Sequence, residues 1–230
     1  MEDNILLKGE LEVRLVNGLL FFGFVPAVQG GGEPPGGSFS VLESNSTFGA
    51  LSNGDLTWTV NDTNHARVQS TVAKSTGKYY WEITVDSDSG SDFNMACAAV
   101  ALDTIDTSVS FMISTGTTPN GYSYKADGTK EHNGSSVAYG STYTTADILG
   151  VALDMDTGAV WFSKNGVWQG GATISEIEAG TTTNAAYTGL TGSFGAAGSV
   201  ITTPSAITAN FGATAFSFTV PTGFTAGLPV

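Results

Sequence analysis

The chain is poor in cysteine and in basic residues, and both deficits restrict its function. Its single cysteine, Cys97, excludes an intrachain disulfide and any zinc site built on cysteine pairs. It has 8 Lys and Arg against 21 Asp and Glu, a formal net charge of −13, and no basic residue follows Lys164. Nucleic acids and anionic membranes bind clustered cations, so we expect no nucleic-acid partner and no membrane partner.

Long apolar runs and catalytic signatures are also missing. No stretch of about 18 apolar residues is present, which argues against membrane insertion, and the acidic N-terminus is unlike a secretory signal. The two histidines, His65 and His132, have no metal-ligand spacing, and no nucleophile elbow, phosphate loop or dinucleotide motif occurs. We therefore expect no enzyme and no cofactor. The scattered carboxylates leave a carbohydrate-active enzyme as an alternative.

What the chain does have is typical of all-β proteins: 30 glycines, 41% hydrophobic residues and only 13% charged residues. Residues 1–28 predict a β-hairpin, because Leu11, Val13 and Leu15 alternate with polar residues and Asn17-Gly18 follows as a turn. The second arm is apolar on both faces, so we expect it to dock. Its docking surface is either its own domain or another subunit, and the candidate anchor residues are Leu19, Leu20, Phe21, Phe22, Phe24 and Val25.

Residues 29–38 are rich in Gly and Pro and predict a linker between this arm and a domain at 39–230. In that domain, short strand-like runs alternate with turn motifs, as in an antiparallel sandwich. The strand-like runs are 56–60, 67–73, 79–85, 95–102, 109–114, 121–125, 148–154, 159–164 and 207–219. No helical period is long enough for a substantial helix, and residues 173–205 are expected to form long loops.

Four segments in a fixed order carry a family resemblance. They are GKYYWEITVDS, GYSYKADGTKEHNGSSVAYG, DILGVALDMDTGAVWFSKNGV and ITANFGATAFSFTVPTGF. Together, over roughly residues 50–226, they resemble the SPRY domain, although nothing between Gln169 and Ser205 matches it. The resemblance implies a bent antiparallel β-sandwich that binds ligands, usually proteins, through loops at one end and performs no catalysis. It also implies a turn-forming role for His132, while Asp154 and Asp156 flank a turn that they are suited to cap.

Aromatic residues in or beside turns are the best candidates for a ligand-binding site. Planar rings with a polar tip suit protein and sugar ligands, although such residues also fill β-sandwich cores. The candidates are Trp58, Tyr122, Tyr124, Tyr139, Tyr143 and Trp168.

The run DSDSGSDFN offers a weaker alternative, a calcium site. It places Asp86, Asp88 and Asp92 around Gly90, but the EF-hand order is broken and its final Glu is missing. A solvated loop is the favoured interpretation of this run.

A hairpin, a tether and a SPRY-like domain suggest a surface protein of a larger assembly. The weakly charged, Thr/Gly/Ala-rich composition also resembles that of bacteriophage virion proteins carrying SPRY domains. The first hypothesis is a virion surface protein, made in the host cytoplasm and anchored to capsid or tail proteins of the same virion. It would oligomerise through the arm and contact host-surface glycan or protein. The second is a soluble SPRY-type adaptor whose arm packs on its own domain.

Overall fold

The computed structural model describes residues 5–6, 11–16, 19–24, 38–44, 49–61, 66–88, 96–102, 121–200 and 204–230. The chain divides into two compact units, Met1–Gly32 and Glu33–Val230. The boundary falls within the Gly/Pro-rich segment at 29–38. The predicted strand at 109–114 lies outside the described residues.

The first unit is a three-stranded antiparallel sheet in the order β1-β2-β3. Its strands are β1 Ile5–Leu6, β2 Leu11–Val16 and β3 Leu19–Phe24. Val16 pairs with Leu19, so two residues connect β2 and β3 and the predicted hairpin is confirmed. Strand β1 was not predicted, because two residues are too few to produce an alternating pattern.

The described part of the second unit contains sixteen strands and one short helix. The strands are β4 Leu42–Glu43, β5 Gly49–Ser52, β6 Thr57–Val60, β7 Ala66–Ser70, β8 Lys78–Ser87, β9 Ala96–Leu102, β10 Gly121–Tyr124, β11 Thr129–His132, β12 Ser135–Ala138, β13 Ile148–Asp154, β14 Ala159–Lys164, β15 Val167–Trp168, β16 Tyr187–Thr188, β17 Phe194–Val200, β18 Ser205–Asn210 and β19 Thr225–Ala226, and helix α1 spans Ile174–Glu178. Within the described residues no helix has the length and apolarity that a membrane span requires.

Two sheets form the sandwich, which confirms the predicted all-β fold. One has seven strands in the order β12-β11-β10-β9-β17-β7-β4. The other has nine, with β15-β14-β13-β8-β18-β6-β5 as its main path and β16 and β19 pairing with β14 and β8. All pairings among the described strands are antiparallel except that of β19 with β8.

The main core lies between the two sheets, and the alternation along β8 shows how the sequence builds it. Trp81, Ile83 and Val85 belong to one buried cluster, together with residues of the seven-stranded sheet such as Val68 and Phe194. Successive side chains of a strand point to opposite faces, so the residues between them lie on the other side of the sheet. The four-residue motif Tyr-Tyr-Trp-Glu therefore supplies both faces.

The outer face of the nine-stranded sheet is buried as well. Tyr80, Trp161 and Phe224 form a second cluster, and Ile177 of α1 covers it. Helix α1 begins with a capping box, in which the Thr173 hydroxyl accepts a hydrogen bond from the Glu176 backbone N–H and the Glu176 carboxylate accepts one from the Thr173 backbone N–H. The C-terminal segment and α1 thus act as a partial third layer.

The prediction of long loops over 173–205 was wrong. The segment contains α1, β16 and β17, and β17 lies between β9 and β7 inside the seven-stranded sheet. A Cβ at Gly195 would lie 2.4 Å from the Ser70 hydroxyl oxygen and 2.5 Å from the Val72 carbonyl oxygen. Close packing therefore requires small residues in this strand, and small residues have a low β propensity.

Two of the turn motifs between the predicted strands adopt the backbone of tight hairpin turns. Asn133-Gly134 has φ of 49° and 72°, and Asn165-Gly166 has φ of 48° and 77°. Two consecutive residues with positive φ are typical of the tight hairpin turns that Asn-Gly favours. These turns connect β11 to β12 and β14 to β15.

Candidate functional site

Three of the six aromatic candidates lie in the core and do not form a surface. Trp58 is 3% exposed, Tyr124 0% and Tyr143 3%. The Trp58 ring packs on Gly49, where a Cβ would lie 2.1 Å from the indole nitrogen. The Tyr143 hydroxyl donates to the Tyr124 carbonyl oxygen at 2.9 Å. The sequence left both a binding role and a core role open for these three residues. The structure supports the core role.

Two other candidates, Tyr122 and Tyr139, belong to a half-buried cluster that we call the tyrosine patch. The patch consists of Tyr122, Lys130, His132, Tyr139 and Tyr187. The Tyr122 and His132 rings are stacked, with their ring centres 3.9 Å apart and an interplanar angle of 7°. The Tyr187 ring meets the Tyr122 ring edge-on, with 5.0 Å between the ring centres. The Lys130 ammonium lies 5.5 Å from the Tyr139 ring centre and 5.1 Å from that of Tyr187.

The strand register explains why these residues meet. In the hairpin of β10 and β11, Tyr122 pairs with His132 and Tyr124 pairs with Lys130, so all four side chains share one face. Tyr187 comes from the opposite sheet through β16, which pairs with β14. The patch therefore spans the edge where the two sheets meet.

Several polar atoms of the patch already have partners. The Tyr187 hydroxyl donates to the Ser123 carbonyl oxygen at 3.0 Å, and Nδ1 of His132 lies 2.9 Å from the Gly121 carbonyl oxygen. Burial raises the pKa of the Tyr187 hydroxyl and lowers the pKa of the Lys130 ammonium. The tyrosines therefore stay neutral, and the patch offers aromatic surface rather than an activated nucleophile.

His132 contributes to the patch through its ring. It is the last residue of β11, and the turn itself is made by Asn133-Gly134. The turn-forming role expected from the resemblance therefore belongs to the two residues that follow His132.

The buried carboxylates of the described residues are engaged in the fold. Glu131 pairs with Lys125 at 2.6 Å, and Asp154 pairs with Lys78 at 3.0 Å. Glu82 accepts three hydrogen bonds. A general acid or base must reach a substrate proton, and carboxylates occupied in this way are not placed to do so.

Asp154 and Asp156 have the turn-capping roles expected from the sequence. The Asp154 carboxylate accepts from the backbone of Asp156 at 3.0 Å and of Thr157 at 3.1 Å. The Asp156 carboxylate accepts from the Gly77 backbone at 2.7 Å, which ties this turn to the start of β8.

The remaining predicted site residues are spread over several parts of the chain. Trp168 lies on the outer side of the nine-stranded sheet, where its ring meets Tyr80 edge-on at 6.3 Å. The Asp86 carboxylate accepts from the Thr208 hydroxyl at 2.6 Å. Asp92 and Val25 lie outside the described residues, and within the part described no group of three His, Cys, Asp or Glu could hold a metal ion. The calcium site stays a prediction, as does the anchoring role of β3.

Sequence reasoning missed Lys130 and Tyr187 as members of a site. The place of Lys130 could have been predicted from the sequence, because a hairpin closed at Asp127-Gly128 places it on the same face as Tyr122 and Tyr124. The place of Tyr187 could not have been predicted, because its segment has no periodic pattern and its position depends on pairing between β16 and β14.

Comparison with known proteins agrees with the resemblance read from the motifs. The family model of the SPRY domain matches residues 78–186. The crystal structure of the SPRY domain of human HERC1 superimposes with a TM-score of 0.54 at 15% identity, covering 70% of this chain and 91% of that chain. The ATP-dependent RNA helicase DDX1 of Xenopus laevis is 31% identical over 98 residues, which are 43% of this chain. The aligned part spans 12% of the length of that helicase.

Proposed function

We propose that the second unit, whose residues 78–186 match the family model of the SPRY domain, is a protein-interaction module whose partner binds the tyrosine patch. SPRY domains are in general interaction modules rather than enzymes. The half-buried cluster of Tyr122, His132 and Tyr187 is the observation on which we base the proposed binding surface. Aromatic side chains held rigidly at a surface are enriched among the residues that contribute most to protein binding.

An exposed apolar residue next to the patch supports this choice. Val137 on β12 is 49% exposed and pairs with Lys130, so the two side chains share a face. Val137 thus extends the aromatic surface beyond the sandwich edge. A partner that covers both would bury apolar area around an aromatic centre.

Site-specific photo-crosslinking tests this proposal. A photoreactive residue at Val137 is expected to give one defined protein adduct in the producing cells. The same residue at Ser52, exposed on β5 of the other sheet, is the control and should not give that adduct. His132→Ala in the Val137 background should lower the yield about tenfold, because it removes one face of the stacked pair. Equal adducts from both positions would assign the binding surface elsewhere.

At a finer level, we propose that the module is displayed on a bacteriophage virion, with the first unit as its anchor. The order of a hairpin, a Gly/Pro-rich segment and a globular domain supports this arrangement. Strand β3 also pairs only with β2 among the described strands, so it forms an edge of its sheet. An apolar edge strand is suited to strand addition onto a capsid or tail protein or a second copy of the chain.

Quantitative mass spectrometry of purified particles against the soluble lysate tests the virion proposal. Stoichiometric presence in particles is the expected result, and the copy number would separate capsid decoration from a tail appendage. Presence in the soluble fraction alone would favour the second candidate, a soluble SPRY-type adaptor. That candidate has its own support, since both matched proteins named above come from animals.

A further inference from the structure

A cleft of ≈ 320 Å³ lies on the outer side of the nine-stranded sheet and shares no residue with the tyrosine patch. Tyr80 and Ser163 line its floor, and Trp168, Ile174 and Phe218 line its walls. The floor residues are almost fully buried, whereas Ile174 is 37% exposed. We call this feature the outer cleft. It joins a buried polar floor to an accessible, largely apolar rim.

The floor contains a hydroxyl group without a partner. Ser163 is 1% exposed, and its Oγ has no hydrogen-bond partner among the described residues. A Cβ at Gly150 would lie 2.4 Å from this oxygen and 2.8 Å from the Tyr80 hydroxyl oxygen. Any larger residue at this position would therefore clash with both hydroxyl groups. A buried hydroxyl without a hydrogen bond is destabilising. A ligand that displaces the side chains covering this oxygen and donates a hydrogen bond to it would remove this penalty.

The electrostatics of the floor favour a ligand that donates hydrogen bonds. Tyr80 donates its proton to the Glu82 carboxylate at 2.9 Å, which leaves the lone pairs of the Tyr80 oxygen available as acceptors. Glu82 is 2% exposed, and no Lys, Arg or His of the described residues lies within ion-pair distance of it. The carboxylate also accepts from the backbone of Ser217 at 2.8 Å and of Phe218 at 2.9 Å. It therefore holds one wall in place and adds negative charge behind the floor.

We propose that the outer cleft binds a primary alkylammonium group. The Ser163 and Tyr80 oxygens accept from the ammonium, and the buried Glu82 carboxylate adds electrostatic attraction. The aromatic side chains of Tyr80, Trp168 and Phe218 line the space around the group, and aromatic rings attract cations. The formal net charge of −13 favours the approach of a cation. A lysine side chain of a partner protein and a free amine both carry this chemistry.

A pair of probes that differ in charge tests the proposal on the unaltered chain. n-Butylammonium and 1-butanol have similar size, and the NMR resonance of the Trp168 indole N–H, assigned with Trp168→Phe, reports on the cleft. We expect a saturable shift with n-butylammonium and none at the same concentrations of 1-butanol. Equal shifts with both probes would reduce the cleft to a non-selective apolar pocket. No shift with either would overturn the proposal altogether.

Two serine variants separate ligand binding from folding. Ser163→Ala is expected to weaken n-butylammonium binding about tenfold, because a hydrogen bond to a charged group is lost. Ser199→Ala is the matched control, since Ser199 is also 1% exposed with an unpaired hydroxyl but lies on β17 of the other sheet. It should leave binding unchanged. Unchanged binding in Ser163→Ala would overturn the assigned floor.

A third probe distinguishes the two sources of the amine. Lysine blocked as its N-acetyl, N-methylamide derivative presents the same ammonium on a peptide backbone. Tighter binding of this probe than of n-butylammonium would assign the natural ligand to a lysine of a partner protein. Tighter binding of n-butylammonium would assign it to a free amine. Both outcomes retain the ammonium site, and failure of both probes overturns it independently of any result at the tyrosine patch.

Discussion

At the scale of single residues, Asp147 connects the loop before β13 to the turn after β14. Its carboxylate accepts from the Thr144 backbone at 2.9 Å and from the Asn165 side chain at 2.7 Å, and it pairs with Lys164 at 3.1 Å. Burial acts to raise the pKa of this carboxyl, but the hydrogen bonds and the Lys164 charge together hold it below its usual value. The charged form of Asp147 is therefore the one that stabilises the fold.

This pKa direction predicts a pH-dependent effect of Asp147→Asn. A carboxyl with a lowered pKa in the folded state stabilises at pH values above its unfolded pKa of about 3.9, and the stabilisation is lost as the pH falls through the folded pKa. We expect the variant to reduce the free energy of unfolding by about 1 kcal/mol at pH 7, with the difference disappearing towards pH 2. Urea denaturation at both pH values measures it. Asp55→Asn, at an exposed turn position with φ of 63°, is the control and should have little effect at either pH.

At the scale of elements, helix α1 can be tested by mutation. It lies in the segment 173–205, which the sequence predicted to form long loops. Ile177 is 0% exposed and covers the second core, whereas Ile174 of the same helix is 37% exposed. Ile177→Ala should lower the free energy of unfolding by about 2–5 kcal/mol, because it leaves a cavity. Ile174→Ala should change it by less than about 1 kcal/mol. Similar small effects of both substitutions would mean that α1 does not cover a core.

The elements that the sequence predicted correctly have local causes. Strand β8 and the hairpin of β13 and β14 combine alternating apolar residues with strong turn residues, and both signals lie within about a dozen positions. Strand β17 has neither signal. It lies between β9 and β7, where close packing requires small residues, and small residues give no alternating apolar pattern. Its identity as a strand depends on contacts with residues far away in the sequence. Local patterns do not contain that information.

The candidate sites show the same division between local and distant causes. The pairing of Tyr122 with His132 follows from a single hairpin, so a register argument can find it. The meeting of Tyr187 with Lys130 requires the two sheets to be stacked. The outer cleft combines β8, β14, the start of α1 and the C-terminal segment. Sequence reasoning found only Trp168 there, because an aromatic residue beside a turn is a local signal and an unpaired hydroxyl is not.

At the scale of the whole molecule, the division into two compact units predicts the effect of removing residues 1–28. The two core clusters of the described residues lie between Leu42 and Leu228, so the second unit has a core of its own. Compact units with their own core generally fold alone. We expect the shortened chain to remain soluble, with a free energy of unfolding within about 0.5 kcal/mol of the full chain.

On the proposal that the first unit is an anchor, the same deletion is expected to abolish assembly, since the apolar edge strand β3 is lost with it. Sedimentation of the full and shortened chains and their recovery in purified particles measure this effect. Leu20→Lys with Phe22→Lys in the full chain is the matched variant, because it keeps the length but opposes burial of β3. Loss of assembly in both would assign the contact to the apolar character of β3. Retained assembly in the shortened chain would contradict the anchor and place the binding surface in the second unit itself.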